Sequence, residues 1–429
     1  MNYYSLNRKS PNVDFKTAVI KGIAPDRGLY FPERITPLDP DFFKNISDTS
    51  NVDIAFESIK QFVEGEIPDH KLYEIVEDTL CFNFPLVKLN DDIFSLELYH
   101  GPTMAFKDVG ARFMARCLGY FNKEGNNVTV LVATSGDTGG AVASGFYKVP
   151  GVNVVILYPK GKVSELQEKQ LTTFGENIQA LEVNGSFDDC QEMVKSAFLD
   201  ADFNKALSLT SANSINVARW LPQLFYYVFA FKQMGATQKI SYSVPSGNFG
   251  NICAGMVAQK IGLPVQHFIA ANNSNDVVTR YLSTQNYAPK QAIPTISNAM
   301  DVGAPSNFIR VQELHNNSFS QLENNLKSYS FSDEDTIDAI KELFTDFNYI
   351  SDPHGAIGFL GCKNYLKEFK GGKTIFLETA HPLKFLEVIE DALKIKLELP
   401  NDVQTLIKKE KNAVEINDYE EFKAYMLRG

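Results

Sequence analysis

The sequence predicts an α/β fold with largely parallel sheets. From residue 128 onward, short β-branched runs are each followed by a polar or glycine-rich turn and a stretch of helical length, the alternation that builds parallel sheets. Apolar spacing of i, i+3, i+4, i+7 recurs between the runs. Hydrophobic residues make up 44% of 429 and charged ones 22%, enough for a large core and against a chain dominated by disorder.

The elements follow in order. The first 85 residues read as helices and loops: Ile54, Ala55, Ile59, Phe62 and Val63 give Val52–Glu64 near-helical spacing, while Gly22–Pro32 is punctuated by Gly and Pro and reads as a loop. Val128–Ala133 is a strand leading into Thr134-Ser-Gly-Asp-Thr-Gly-Gly140. Val152–Leu157 is the next, ahead of Pro159 and Gly161. Ser164-Glu-Leu-Gln167 has the form of a capping box, with Gly175 as a stop. Cys190, Met193, Val194, Ala197 and Phe198 mark one face of an amphipathic helix. Later strands are Ile240–Val244, Val265–Ala270 and Thr374–Glu378. In open α/β sheets ligands bind beyond the carboxyl ends of strands. The polar loops Thr134–Gly140, Pro245–Asn251 and Thr379–Lys384 follow three such ends. After Leu399, the charged run Lys408–Lys411 reads as solvated surface.

Composition narrows the function classes. With 41 Lys+Arg against 52 Asp+Glu the net charge is −11, which counts against a general nucleic-acid or polybasic membrane binder. Small anions remain open to it, because backbone amides bind phosphate whatever the net charge. No basic-then-apolar leader opens the sequence, and no run approaches the ~18 apolar residues of a membrane span. The five scattered cysteines form no C-x-x-C pair, and no histidine has a partner at metal-ligand spacing, so a reduced cytoplasmic protein without a metal site is expected.

Three motifs could carry chemistry. Pro245-Ser-Gly-Asn-Phe-Gly-Asn251 lies between a strand and the expected helix Ile252–Ile261, where glycines and a helix N-terminus suit an anion. It is neither a Walker A loop nor a dinucleotide fingerprint, and a tight turn without ligand fits it equally. In His100-Gly-Pro-Thr-Met-Ala-Phe-Lys107-Asp, Lys107 precedes an apolar helical run. Desolvation there would favour its neutral, nucleophilic amine, although an isolated lysine at a helix start more often snorkels to water. Thr134–Gly140 and Ser211–Asn216 offer hydroxyls and amides that could hold a carboxylate or phosphate, or simply cap helices. Arg219 could serve an anion or a surface ion pair. His354 and His381 read as packed or loop histidines.

Together these residues are far more specific than any one of them. Lys107 in its motif, Thr134-Ser-Gly-Asp137-Thr-Gly and Ser246-Gly-Asn-Phe-Gly-Asn251 resemble the threonine synthases, pyridoxal 5′-phosphate enzymes of fold type II. Gly28-Leu-Tyr-Phe-Pro32, Ser211–Asn216, Asn298-Ala-Met-Asp301 and Thr379-Ala-His-Pro-Leu-Lys-Phe385 extend the likeness over nearly the whole chain, on the bacterial and fungal branch. The resemblance implies two open, mostly parallel α/β subdomains with an N-terminal helical extension. The extension would be 1–85, the larger cofactor-binding subdomain 86–127 plus 216–398, the smaller inserted subdomain 128–215, and a C-terminal segment 399–429.

By that resemblance Lys107 would hold the cofactor as a Schiff base and act as general acid and base. Gly247, Asn248, Phe249, Gly250 and Asn251 would cradle the cofactor phosphate, Thr379 would face the pyridine nitrogen, and Asp137 would lie near the 3′-oxygen. Thr134, Ser135 and Thr138 are candidates for the substrate carboxylate, and Asn213, Ser214 and Arg219 for its phosphate. The implied reaction turns O-phospho-L-homoserine and water into L-threonine and phosphate by a β,γ-replacement, and a monomer is expected. A phospholyase releasing 2-oxobutyrate and ammonia would use the same motifs. A non-catalytic phosphate-ligand or regulatory protein would have no need of Lys107 and the phosphate loop together.

Overall fold

The computed structural model describes residues 1–122, 127–236 and 238–427. Eleven strands make up its two larger sheets. Along the chain they are β1 (Leu86–Lys88), β2 (Ile93–Glu97), β3 (Val128–Ala133), β4 (Val152–Pro159), β5 (Ile178–Val183), β6 (Ser208–Ser211), β7 (Ile240–Pro245), β8 (Val265–Asn272), β9 (Leu326–Ser330), β10 (Lys373–Glu378) and β11 (Val414–Ile416). Four helices concern the site: α1 (Lys107–Phe121), α2 (Asp137–Phe146), α3 (Gly250–Lys260) and α4 (Pro353–Glu368).

The chain forms two compact units. One comprises Met1, Phe31–Phe106 and Trp220–Leu397; the other comprises Asn2–Tyr30, Lys107–Arg219 and Glu398–Gly429. These bounds cut across the expected segments: residues 31–85 group with the larger sheet, 2–30 with the smaller one, and α1 belongs to the second unit rather than with 86–106.

The first unit holds a six-stranded sheet ordered β9-β8-β7-β10-β2-β1. All its pairs are parallel except the edge pair β1–β2. Its central strands are buried along their length, which is what helices on both faces impose. β7 and β10 are neighbours with Ser243 opposite Phe376, so the segments after Pro245 and Glu378 emerge side by side at one edge.

The second unit holds a five-stranded sheet ordered β11-β5-β4-β3-β6, parallel throughout. β3 and β6 are neighbours, with Leu131 opposite Ser211, so the loops Thr134–Gly136 and Ala212–Asn216 also leave one edge together. The helix Phe187–Leu199 packs Cys190, Met193, Val194 and Ala197 on this sheet with Phe203, Ile416 and Phe422.

Most expected elements are present with ends shifted by one or two residues, and Ser164 forms its capping box with Gln167. The charged run Lys408–Lys411 is exposed, as expected, and Lys411 at its end bridges Glu168 at 2.8 Å and Glu182 at 2.6 Å.

Candidate active site

In the second unit the site is built at the ends of β3 and β6. β3 is apolar and β-branched until Ala133, where Thr134 turns the chain. Thr134 is buried, and its hydroxyl accepts the N–H groups of Gly136 at 3.0 Å and Gly139 at 2.8 Å, so it shapes the loop it was expected to lend to a substrate. Ser135 and Thr138, in the same loop, are only half-buried. Asp137 opens α2, where a carboxylate is favoured by the helix dipole. Its Oδ1 accepts from Gln167 Nε2 at 3.0 Å, and its Oδ2 lies 3.9 Å from Lys107 Nζ.

Lys107 is the first residue of α1, its side chain 18% exposed and Asp137's 5%. An amine this withdrawn from water with one carboxylate beside it is held in place rather than snorkelling. Asn213 ties the two loops together, donating from Nδ2 to the Ala133 carbonyl at 3.2 Å. Ser214 is half-buried in the same turn. Arg219 is 3% exposed and donates to the Ala212 carbonyl, so it is no surface residue.

In the first unit, the segment after β7 has the shape of an anion cradle. Phe249 takes the N-cap place of α3 with a left-handed φ of 63° and has no oxygen to offer the first-turn amides. Gly250 and Asn251 begin the helix. Asn251 braces the loop, donating to the Pro245 carbonyl at 2.8 Å while its own carbonyl accepts from Tyr227 Oη at 2.8 Å. Asn248 Oδ1 accepts the Ser306 N–H at 2.6 Å. Gly247 is required by a close approach: a Cβ there would lie 2.7 Å from Met300 Cα and 3.0 Å from the Ala299 oxygen. Thr379 follows β10, buried to 6% exposure, and its carbonyl accepts the N–H of Phe106, the residue before Lys107. These donors suit a bound phosphate on a helix N-terminus, and a buried hydroxyl suits a neutral partner for a ring nitrogen. The residues present therefore fit pyridoxal phosphate.

Several contributors escaped the sequence reading. Gln167 was legible as half of a capping box, but its bond to Asp137 depends on tertiary packing. His354 is the packed histidine its motif allowed, 2% exposed in α4, but its bond to Asp352 was not legible. Lys384, 1% exposed, donates to the Thr103 carbonyl at 2.7 Å and holds the loop leading to Lys107. Among the described residues no group of three or more His, Cys, Asp or Glu could hold a metal ion, and no helix is long and apolar enough to cross a membrane.

Comparison with known proteins agrees with this chemistry. The profile of the family described as pyridoxal-phosphate dependent enzyme matches residues 79–379, that of the threonine synthase N terminus 2–80, and that of the threonine synthase C-terminal region 355–426. The threonine synthase of Haemophilus influenzae is 43% identical over 438 aligned positions, covering 100% of both chains. The crystal structure of threonine synthase from Escherichia coli superposes with a TM-score of 0.93 at 40% identity, covering 100% of each chain. The pyridoxal-phosphate-bound threonine synthase of Brucella melitensis does so with a TM-score of 0.93 at 32% identity, covering 100% of this chain and 99% of the other. With its lysine, its glycine loop and this likeness along its whole length, the chain belongs to the threonine synthase family of pyridoxal-phosphate dependent enzymes.

Proposed function

We propose that the substrate is O-phospho-L-homoserine, and that Lys107 is the group that moves its protons. Lys107 would hold the cofactor through Nζ. Its amine removes the proton from substrate Cα and then one from Cβ. Pyridoxal phosphate, when bound, supplies the electron sink that accepts the negative charge left at these carbons. Phosphate departs from Cγ, a proton is delivered to Cγ, the hydroxyl of water adds at Cβ, and a proton returns to Cα. O-phospho-L-homoserine and water thus become L-threonine and phosphate.

In this reading Gly247, Asn248, Phe249, Gly250 and Asn251 hold the cofactor phosphate, and Thr379 offers its hydroxyl to the ring nitrogen. Asp137 orients Lys107 and lies near the cofactor's 3′-oxygen. Ser135, Thr138 and the amides shaped by Thr134 receive the substrate carboxylate; Asn213, Ser214 and Arg219 receive its phosphate. The observation that carries the reading is Lys107 itself, a largely buried amine 3.9 Å from a buried carboxylate at the start of a helix. We further propose a cytoplasmic monomer, in keeping with five unpaired cysteines. Sedimentation should give the chain mass of 48.0 kDa, and twice that mass would overturn the monomer.

Incubating the purified holoenzyme with O-phospho-L-homoserine should yield threonine and phosphate in equal amounts; 2-oxobutyrate and ammonia without threonine would make it a phospholyase. Borohydride should fix the cofactor covalently to the wild type and not to Lys107→Ala, which should also lose turnover. Wild-type turnover in that variant would remove Lys107 from its role.

A further inference from the structure

A chain of hydrogen bonds within the first unit, buried up to its last link, runs from the end of β10 toward the glycine loop. Glu378, the residue before Thr379, is fully buried; its Oε1 accepts the Asp352 N–H at 2.7 Å and its Oε2 the Ser351 hydroxyl at 2.8 Å. Asp352, so fixed, caps α4 by accepting the His354 N–H at 2.8 Å and also meets His354 Nδ1 at 2.5 Å. A carboxylate has no proton to give, so Nδ1 carries the ring hydrogen and Nε2 the lone pair, an assignment made from the partners. Nε2 accordingly accepts the Ala299 N–H at 3.2 Å. The ring is held against Phe385, with centroids 4.9 Å apart. Ala299 is the middle residue of the 3-10 turn Asn298–Met300, whose backbone leaves no space for a side chain at Gly247.

We propose that His354 is a positioning residue for the cofactor phosphate, acting through the turn it holds behind Gly247. The Asp352–His354 pair selects the one neutral tautomer whose Nε2 can accept an amide. Without that acceptor the half-buried Ala299 amide loses its partner in the protein, the turn relaxes, and the loop amides lose their aim. The inference rests on assigning Gly247–Asn251 to the cofactor phosphate.

The test compares His354→Phe, which keeps a flat ring and loses the acceptor, with His354→Gln, whose amide oxygen can still reach the turn. Two readouts apply: pyridoxal phosphate Kd of the resolved full chain, and the 31P resonance of the cofactor phosphate in the holoenzyme. His354→Phe should raise Kd about tenfold and shift the resonance, while His354→Gln should stay within about threefold of wild type. A lower melting temperature in His354→Phe with Kd and resonance unchanged would mean a merely structural role and overturn the proposal. Should that variant not fold, His354→Leu serves instead. It keeps an apolar contact with Phe385 but offers the Ala299 amide no acceptor, and should raise Kd likewise; wild-type Kd and resonance there would overturn the proposal. Gly247→Val separates the two layers. If it weakens cofactor binding while His354→Phe does not, only the positioning role fails; if Gly247→Val itself binds normally, the loop assignment fails and the inference with it.

Discussion

A carboxyl group buried as deeply as Glu378 stores a dependence on pH. Burial pushes its pKa well above the ordinary carboxylate range, and the negative charge of Asp352 pushes it further. The folded protein therefore keeps a proton that the unfolded chain gives up above about pH 4.3. Its contribution to stability is complete below that value and is lost as pH rises through the window up to the raised folded pKa. Glu378→Gln removes the titration while keeping an acceptor for the Asp352 N–H, and its amide donates where Oε2 accepts from Ser351. Its stability relative to wild type should climb by about 1.4 kcal/mol per pH unit across that window. Urea unfolding at pH 5 and pH 7 would show it, and a pH-independent difference would count against a protonated Glu378. Gly355 faces the same carboxyl: a Cβ there would fall 1.7 Å from Oε2, so Gly355→Ala should cost about 3 kcal/mol or more in the same assay. At this scale the sequence exposes residue types but not partners. Lys107 and the glycine loop stand out from their neighbours in the chain; the bonds of Gln167 to Asp137 and of His354 to Ala299 span 30 and 55 residues and leave no local pattern.

Strands buried on both faces announce themselves, and edge strands do not. Val128–Ala133 is legible as an apolar, β-branched run, whereas Leu326–Ser330 carries a lysine, two serines and a tyrosine because it lies at the margin of its sheet. The same holds for β11, whose first two residues are exposed and whose third, Ile416, is buried. Its pairing with β5 is reinforced by Phe422, fully buried beside Phe203 with centroids 5.7 Å apart. Phe422→Ala should therefore cost about 3–5 kcal/mol, as a core truncation does. A loss below about 1 kcal/mol in equilibrium unfolding would show that this segment adds little to the core. The adjacency of the loops after β7 and β10, and of those after β3 and β6, comes from sheet order. A single sequence lists loops at strand ends without saying which are neighbours.

Across the whole molecule, charge and chemistry point in opposite directions. A net charge of −11 repels an anionic substrate at long range, while the phosphates are to be held by amides, hydroxyls and Arg219 at short range. Screening weakens the first effect far more than the second. Raising salt from about 10 mM to about 100 mM should thus increase kcat/KM by about twofold, where an enzyme with a basic surface would slow. A steep fall in kcat/KM would mean that exposed cations gather the substrate.

The partition of the chain between its two units bears on how the protein is made. The second unit takes residues from the start, the middle and the end of the chain, and β11 supplies the strand beside β5 from residues 414–416. During synthesis, Ile178–Val183 is laid down more than two hundred residues before the partner that will cover its edge. At about 5–20 residues per second that edge waits for ten seconds or more, open to pairing with other chains. The first unit is complete at Leu397 while the second still lacks its closing segment, so the unit that begins the chain is also the one that must wait for its end.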